Sequence, residues 1–285
     1  MRTLSRLGRA LPCLALLLLV RLCLPGPPAM AAPILLEDLR YRIEVLAWPD
    51  AARVRLTLNR VGPDRFEAEF IGESLGIFKT LSGGQRERLQ TEMVWRNHQL
   101  LPLIYREESW RRGKRRLKEY RFDYDKGRLV LWEWHKSKGL TKKWQGDLAT
   151  PVYDPLSAFY NIRLGLIGPN RAGETNAIPG IPYPRPGTME VRLAATPDSH
   201  LKAMISLINP VFPDSQGQVM AYVDHRLVPQ QAWTTISGFT IRGMLLPGGV
   251  IMPHTLPGLA APGHAADHRP PAADLPATAD KGERR

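Results

Sequence analysis

Apolar and polar residues alternate along most of the chain after residue 40, and Gly, Pro, Asn and Asp separate the alternating runs. A period of two is typical of antiparallel strands that bury one face. Strand-like runs greatly outnumber helical ones, so the pattern predicts a mainly β protein built on a twisted antiparallel sheet or half-barrel. The predicted strands are Tyr41–Leu46, Arg53–Val61, Arg65–Ile71, Arg88–Trp95, Leu103–Trp110, Arg115–Tyr124, Arg128–His135, Met189–Ala194, Lys202–Ile208, Gln218–Asp224, Ala232–Ser237 and Phe239–Leu246.

One short helix is predicted over about residues 154–164. Asp154 can accept hydrogen bonds from the free amides of the first turn, and Pro155 suits the first helical position. Apolar side chains then recur at helical spacing as far as Arg163.

The predicted turns fix a register for the central strands. A turn at Arg112-Gly113 places Tyr105 opposite Tyr120, and a three-residue loop at 125–127 then places Tyr120 opposite Trp132. One face would therefore carry a row of aromatic side chains, namely Tyr105, Tyr120, Phe122, Trp132 and Trp134. This face is either packed core or the lining of a groove for an acyl chain or sugar, and the residue pattern leaves both open.

Basic residues are concentrated on the strands that carry this aromatic row. The same register places Arg106 opposite Glu119 as a cross-strand ion pair. We expect the basic group to be either a solubilising edge or a contact for an anionic partner such as a phospholipid headgroup, lipopolysaccharide or an acidic glycan. Its members are Arg106, Arg115, Arg116 and Lys118.

The first 31 residues resemble a cleavable signal peptide. Arginines precede ten apolar residues, and Ala29-Met30-Ala31 fits a cleavage site. We therefore expect a periplasmic protein with a β-rich domain at 32–249 and a disordered Pro/Ala-rich tail at 250–285. No later apolar run is long enough to predict a transmembrane segment.

The composition limits the chemistry of the exported part. The chain has a net charge of +12, and removal of the leader's four arginines leaves about +8. Cys13 and Cys23 both lie in the leader, so the mature chain would have no disulfide or thiolate metal site. Neither cysteine follows the small residue of a lipobox, so we expect a free protein and not a lipoprotein. We predict no cofactor and no metal, and the exported location argues against nucleic acid as a partner.

Two short motifs suggest chemistry that the rest of the chain does not support. Leu81-Ser82-Gly83-Gly84-Gln85 matches the signature loop of transporter ATPases, but no P-loop sequence accompanies it. Gly72-Glu73-Ser74-Leu75-Gly76 matches a nucleophile elbow, with His200 or His225 as the base of a serine hydrolase, yet the preceding strand alternates as an antiparallel strand does. Both motifs are better explained as glycine-containing turns.

The segment around the predicted helix resembles a known family. Asp154-Pro155-Leu156-Ser157-Ala158-Phe159-Tyr160 is similar to the bacterial envelope family called domain of unknown function 3108, and weaker likeness extends over residues 38 to 247. The family-motif residues are Asp154, Pro155, Leu156, Ser157 and Tyr160. The resemblance implies an envelope protein with a lipocalin-like or lipoprotein-carrier-like half-barrel, and it implies no activity.

Two main functions follow from these expectations. The first is a non-enzymatic periplasmic protein that binds a lipid, a glycan or another hydrophobic or amphipathic envelope molecule on the aromatic face. The second is a structural or adaptor protein of envelope assembly that contacts another envelope protein. A serine hydrolase based on Ser74 is a remote alternative.

Overall fold

A computed structural model describes most of the chain. The described residues are 32–46, 48–169, 171–181, 186–196, 201–207, 217–236, 238–252 and 256. The predicted signal peptide, His200 and the part of the predicted tail after residue 256 lie outside them.

Within the described residues, fourteen strands form one antiparallel sheet, and all twelve predicted strands are present. The strands are β1 (Ile34–Val45), β2 (Trp48–Arg60), β3 (Arg65–Ser74), β4 (Arg86–Arg96), β5 (Gln99–Arg111), β6 (Lys114–Asp123), β7 (Arg128–His135), β8 (Gly139–Asp147), β9 (Thr175–Gly180), β10 (Gly187–Ala195), β11 (Leu201–Leu207), β12 (Gln218–Val223), β13 (Pro229–Ile236) and β14 (Phe239–Leu245). The prediction missed β8 and β9. They are the two edges of the sheet, where lysines and prolines such as Pro179 are tolerated and weaken the strand pattern.

The sheet curls until distant strands face each other. Its order is β8-β7-β6-β5-β4-β3-β2-β1-β14-β13-β12-β11-β10-β9, with β14 paired to β1 and the edges β8 and β9 unpaired to each other. Buried Leu101 of β5 nevertheless packs in one cluster with Ile178 of β9 and Val191 of β10. The predicted mainly β fold with a twisted, open, half-barrel sheet is confirmed.

A nine-residue helix, α2 (Pro155–Arg163), packs against one face of the curled sheet, which we call the inner face. It begins as predicted, because Asp154 Oδ1 accepts hydrogen bonds from the amides of Leu156 (2.9 Å) and Ser157 (3.2 Å). Leu156 and Tyr160 join the core formed by β1 to β4.

A second helix, α1 (Gly76–Leu81), connects β3 to β4 and was not predicted. It has six residues, none of them buried. It replaces the simple turn expected at Gly72–Gly76, and the LSGGQ sequence forms its last residue and the turn that follows. Gly83 and Gly84 adopt φ of 72° and 69°, a conformation that favours glycine.

The predicted register is right between β5 and β6 and wrong between β6 and β7. Tyr105 lies opposite Tyr120 as expected, but Tyr120 lies opposite Leu131 instead of Trp132. The connecting loop has four residues, 124–127, and not three, and the Lys126 amide donates to Asp123 Oδ1 within it (3.0 Å). A shift of one residue reverses the face to which every β7 side chain points.

The predicted tail begins too early. Val250 pairs with Asp38 of β1, and Met252 and Leu256 are buried in the main core. The β-rich domain therefore extends past residue 249 to include these positions.

Candidate functional site

The inner face beneath β5, β6 and β7 is a packed core. Tyr105 and Tyr120 stack with ring centroids 5.8 Å apart, and Phe122 lies beside them. Leu129 and Leu131 occupy the positions opposite Phe122 and Tyr120 that the sequence assigned to Val130 and Trp132, and both are fully buried. Segments outside these strands cover the face with three further buried side chains, Leu148, Val152 and Ile181. The pattern left open whether this face is packed core or the lining of a groove. The described residues form a packed core here.

Trp132 and Trp134 lie on the opposite, outer face, which corrects the predicted aromatic row. Each indole has an arginine over its ring. The Arg121 guanidinium carbon is 5.3 Å from the Trp132 ring centroid, and that of Arg115 is 5.8 Å from Trp134. Such cation–π contacts hold arginine and tryptophan in fixed relative positions.

A third pair of this kind joins the first two, although the sequence reading did not single it out. Arg86 of β4 lies 5.4 Å from the Trp110 ring of β5, and the two residues are direct cross-strand partners. The signal was present in the sequence, since Trp110 is an aromatic residue on the polar side of an alternating strand. We refer to the outer-face pairs Arg86–Trp110, Arg115–Trp134 and Arg121–Trp132 as the Arg–Trp surface.

Two of the predicted anion-binding arginines have acidic neighbours on the outer face. Arg106 contacts Glu119 and Glu92, each at 2.7 Å, which confirms the predicted Arg106–Glu119 pair. Arg115 pairs with Glu108.

The other two predicted basic residues lie on the inner-face side of β6. Lys118 pairs with Glu107 at 3.1 Å, while Arg116 is exposed near the end of the β5–β6 hairpin. The structure therefore distributes the nine residues of the predicted ligand site over both faces of the sheet and does not bring them together.

Glu119 organises the outer face between the arginines. Its carboxylate accepts hydrogen bonds from Arg106 and Arg121, both at 2.7 Å, and its side chain is only 5% exposed. Burial alone would raise the pKa of Glu119, but the two guanidinium groups outweigh it and lower that pKa. The carboxylate thus stays ionised and fixes two arginines beside Trp132.

The family-motif residues position α2 on the inner face. Asp154 Oδ1, besides capping the helix, accepts a 2.7 Å hydrogen bond from the Thr91 hydroxyl of β4. The carboxyl is fully buried, and burial raises its pKa despite these hydrogen bonds. Its Oδ2 atom has no hydrogen-bond partner among the described residues. Ser157 donates back to the Asp154 carbonyl (3.1 Å), so the motif joins cap and sheet in one buried contact.

Asn161, on the same helix, was not identified from the sequence. The Leu100 amide donates to its Oδ1 (2.9 Å), and its Nδ2 donates to the Leu100 carbonyl (2.8 Å). Both polar groups of one β5 residue are therefore satisfied by α2. The role of Asn161 depends on the contact between α2 and β5, so the sequence alone does not indicate it.

A buried ion pair at the end of α2 was also not anticipated. Arg163 Nη2 lies 3.0 Å from Glu37 Oε1 of β1, and both side chains are completely buried. Arg163 also donates to the carbonyls of Arg226 and Met252, while the Met252 amide donates to Glu37 (3.1 Å). Burial raises the pKa of Glu37, and the charge of Arg163 opposes that shift. The pair links α2, β1 and the segment after β14.

The described residues do not assemble the hydrolase constellation considered from the sequence. The Ser74 hydroxyl donates to the Gln85 carbonyl and accepts from the Ser82 hydroxyl, both at 3.0 Å. His225 lies in the turn between β12 and β13. Among the described residues, no group of three or more His, Cys, Asp or Glu is arranged to hold a metal ion.

Two grooves on the described surface are small. One of about 280 Å³ lies between β1 and residues 245–251, and another of about 260 Å³ lies beside Phe239. Both fall below the range of about 300–1,000 Å³ that is usual for small-molecule sites. No helix within the described ranges has the length and hydrophobicity needed to cross a bilayer.

Comparison with models of known protein families agrees with the family resemblance. No curated protein matches the chain. Among solved structures, the chain is similar to one described as a β-barrel-like protein of domain of unknown function DUF1849 from Brucella abortus. The two share 11% identity, the match covers 75% of this chain and 98% of that one, and the TM-score is 0.46. The model of a family described as "Protein of unknown function (DUF3108)" matches residues 40–199, so more than half of the chain is covered and the chain belongs to the DUF3108 family.

Proposed function

We propose that this chain is a non-enzymatic structural or adaptor protein of the bacterial envelope that binds a partner protein through its outer face. The observation that carries the proposal is the contrast between the two faces of β5 to β7. The inner face is packed with its own side chains, whereas the outer face presents the Arg–Trp surface.

The chemistry of the outer face suits a protein contact. Tryptophan and arginine are the residues most enriched at the energetic centres of protein interfaces. Glu119 holds Arg106 and Arg121 in place, so these side chains lose little conformational freedom when a partner binds. The surface is therefore partly organised for binding before any partner arrives.

The same arrangement supports a non-enzymatic role. Ser74 has a serine hydroxyl and a backbone carbonyl as its partners, and the strongly buried carboxyls Asp154 and Glu37 are engaged in helix capping and ion pairing. These two buried carboxyls, whose pKa values are raised, thus have structural tasks at the places where they lie.

The envelope location is supported by the signal-peptide pattern of residues 1–31 and by the family resemblance. Fractionation of a bacterium that expresses the chain with a C-terminal tag tests it directly. We expect the tagged protein in the periplasmic fraction, with an N-terminus near residue 32. Retention in the cytoplasm with residues 1–31 intact would contradict the location.

Site-specific photocrosslinking in the living bacterium tests the adaptor role. A photoreactive residue at Gln145, which lies opposite Val130 on the outer face, should give a discrete protein adduct. As the control, the photoreactive residue replaces Glu190, an exposed position of β10, and it should give no adduct. Arg121→Ala and Trp132→Ala should remove the adduct, while Arg192→Ala should leave it.

Native mass spectrometry of the purified protein distinguishes the alternative of a lipid or glycan carrier. The adaptor proposal expects no ligand at one-to-one stoichiometry. A lipid or glycan that co-purifies one-to-one, together with no adduct from Gln145, would replace the adaptor proposal by the carrier.

A further inference from the structure

The hairpin ends of the sheet form a continuous edge. The pairs β13–β14, β1–β2, β3–β4, β5–β6 and β7–β8 lie side by side in the sheet, and their connections all emerge at the same end because neighbouring strands are antiparallel. We call these five connections the hairpin rim.

Large apolar side chains are unusually exposed along one part of this rim. Among the described residues, five of the ten most exposed large hydrophobic side chains lie here, with exposed fractions of 48–67%. These residues are Leu46, Trp48, Ile77, Leu81 and Phe239.

These side chains are neighbours in space. Trp48 packs edge-to-face on Phe78 of α1 with ring centroids 5.9 Å apart. Leu46 and Phe239 line the same shallow groove where the β1–β2 and β13–β14 connections meet. Helix α1 buries none of its residues, so core packing does not account for its apolar side chains.

The adjoining part of the rim is basic. The Arg112 amide donates to the Gly83 carbonyl (2.8 Å), which joins the β5–β6 turn to the end of α1. Seven basic residues along the rim have no acidic partner among the described residues; they are Lys79, Arg111, Arg112, Lys114, Arg116, Lys136 and Lys138.

The acidic side chains near the rim do not cancel this charge, because most already have arginine partners. Glu44, Asp50, Glu73 and Glu108 pair with Arg42, Arg53, Arg86 and Arg115. Glu87 accepts a hydrogen bond from Gln85, and Glu133 of β7 is not without an interaction partner. The rim as a whole therefore presents unpaired positive charge beside exposed apolar groups.

We propose that the hairpin rim docks the protein on an anionic lipid bilayer. Leu46, Trp48, Ile77, Leu81 and Phe239 enter the interfacial layer, where tryptophan is favoured. The basic turns contact anionic lipid headgroups. A bilayer fits better than a protein groove, because the apolar side chains are spread over three separate connections and a fluid surface requires no matching shape. This docking is independent of the partner bound by the outer face.

Vesicle co-sedimentation with the purified full-chain protein tests the docking. We expect binding to vesicles of phosphatidylethanolamine and phosphatidylglycerol, weaker binding when NaCl is raised, and little binding to phosphatidylcholine alone. The N-terminal segment contributes equally to vesicle binding in all variants that have the same N-terminus. Mass spectrometry checks that the N-terminus is the same in each variant.

Two variants separate the apolar and the basic contributions. Ile77→Ser/Leu81→Ser should weaken binding roughly tenfold or more, and it should fold normally because α1 has no buried residue. The triple variant Lys114→Glu/Lys136→Glu/Lys138→Glu should weaken it at least roughly fivefold for each position.

The matched controls lie away from the rim. Ile34→Ser/Leu35→Ser replaces exposed apolar residues at the opposite end of β1, and Lys126→Glu/Lys143→Glu changes exposed lysines elsewhere. Both should bind as the wild type does. Brominated lipid should also quench the fluorescence of Trp48, and Trp48→Phe should remove that part of the quenching.

Several outcomes would overturn the proposal. Insertion of the rim would be excluded if Ile77→Ser/Leu81→Ser bound anionic vesicles as the wild type does and brominated lipid did not quench Trp48. Absence of vesicle binding, together with a discrete protein adduct from a photoreactive residue placed at Thr80, would make the rim a protein interface instead. A failure of the adaptor proposal would appear separately, as loss of the Gln145 adduct with normal vesicle binding.

Discussion

At the scale of single residues, the most unusual group is the buried carboxyl of Asp154. It caps α2, accepts a hydrogen bond from Thr91 and has an unsatisfied Oδ2 among the described residues. Burial raises its pKa above the ordinary value of 3.8. The sequence identified the cap, since Asp followed by Pro is a strong helix start, but it gave no indication that the cap is buried.

This residue makes a prediction about pH. Because the folded-state pKa is raised, the carboxyl favours the folded state below the unfolded pKa, and that contribution is lost as the pH rises through the folded pKa. The free energy of unfolding of wild type relative to Asp154→Asn should therefore fall as the pH rises from about 3.8. Urea denaturation of both proteins across this range measures it.

Asp154→Ala provides the control for capping. Asp154→Ala removes the acceptor, whereas Asn keeps an acceptor oxygen, so Asp154→Ala should be about 1–2 kcal/mol less stable than Asp154→Asn. That difference should be the same at every pH, because neither variant has a carboxyl to titrate at this position. A difference between wild type and Asp154→Asn that stays constant with pH would show that the pKa is not raised.

At the scale of elements, the pairing of β6 with β7 shows how a local rule can fail. Strand alternation correctly located both strands, but the loop between them has one residue more than the turn rule predicted. Leu131 therefore points inward and Trp132 outward. Two adjacent apolar residues give no preference from the pattern alone, and the four-residue turn stabilised by Asp123 decides between them.

Alanine substitutions at these two positions check the register. Leu131→Ala should cost about 2–5 kcal/mol because it leaves a cavity in the core. Trp132→Ala should cost less, since it mainly removes a cation–π contact of about 0.5–1 kcal/mol on the outer face. Thermal or urea unfolding of the two variants gives the order, and the opposite order would favour the register inferred from turn length.

At the scale of the whole molecule, the ends of the chain's described part meet on α2. Glu37 at the start of the sheet and Met252 after its last strand both contact Arg163. This contact joins the first strand of the sheet and the segment after its last strand to the helix. A buried ion pair of this kind need not stabilise the fold more than apolar residues would, but the loss of one partner is costly.

A double-variant cycle tests this contact. Arg163→Met leaves Glu37 buried without its partner and should cost about 3–5 kcal/mol, while Glu37→Leu/Arg163→Met should recover much of that loss. Arg192→Met, at an exposed position of β10, should have little effect. Urea denaturation measures the free energy of unfolding of each variant. If the double variant lost as much as the two single variants together, the two charges would be energetically independent of each other.

The sequence by itself determined what depends on short-range chemistry. Alternation located twelve strands, Asp154 and Pro155 located a helix start, and the motif around them identified the DUF3108 family. These features depend on neighbouring residues, whose steric and hydrogen-bonding preferences act within a few positions.

Only the tertiary structure decided which faces are buried and which residues meet. The length of one turn placed Trp132 and Trp134 on the outer face instead of in the predicted aromatic row. The curl of the sheet packed Tyr105 and Tyr120 into a closed core. Antiparallel pairing likewise gathered exposed apolar and basic residues from distant segments at one rim. Burial and proximity depend on contacts between residues far apart in the chain, and local patterns do not contain that information.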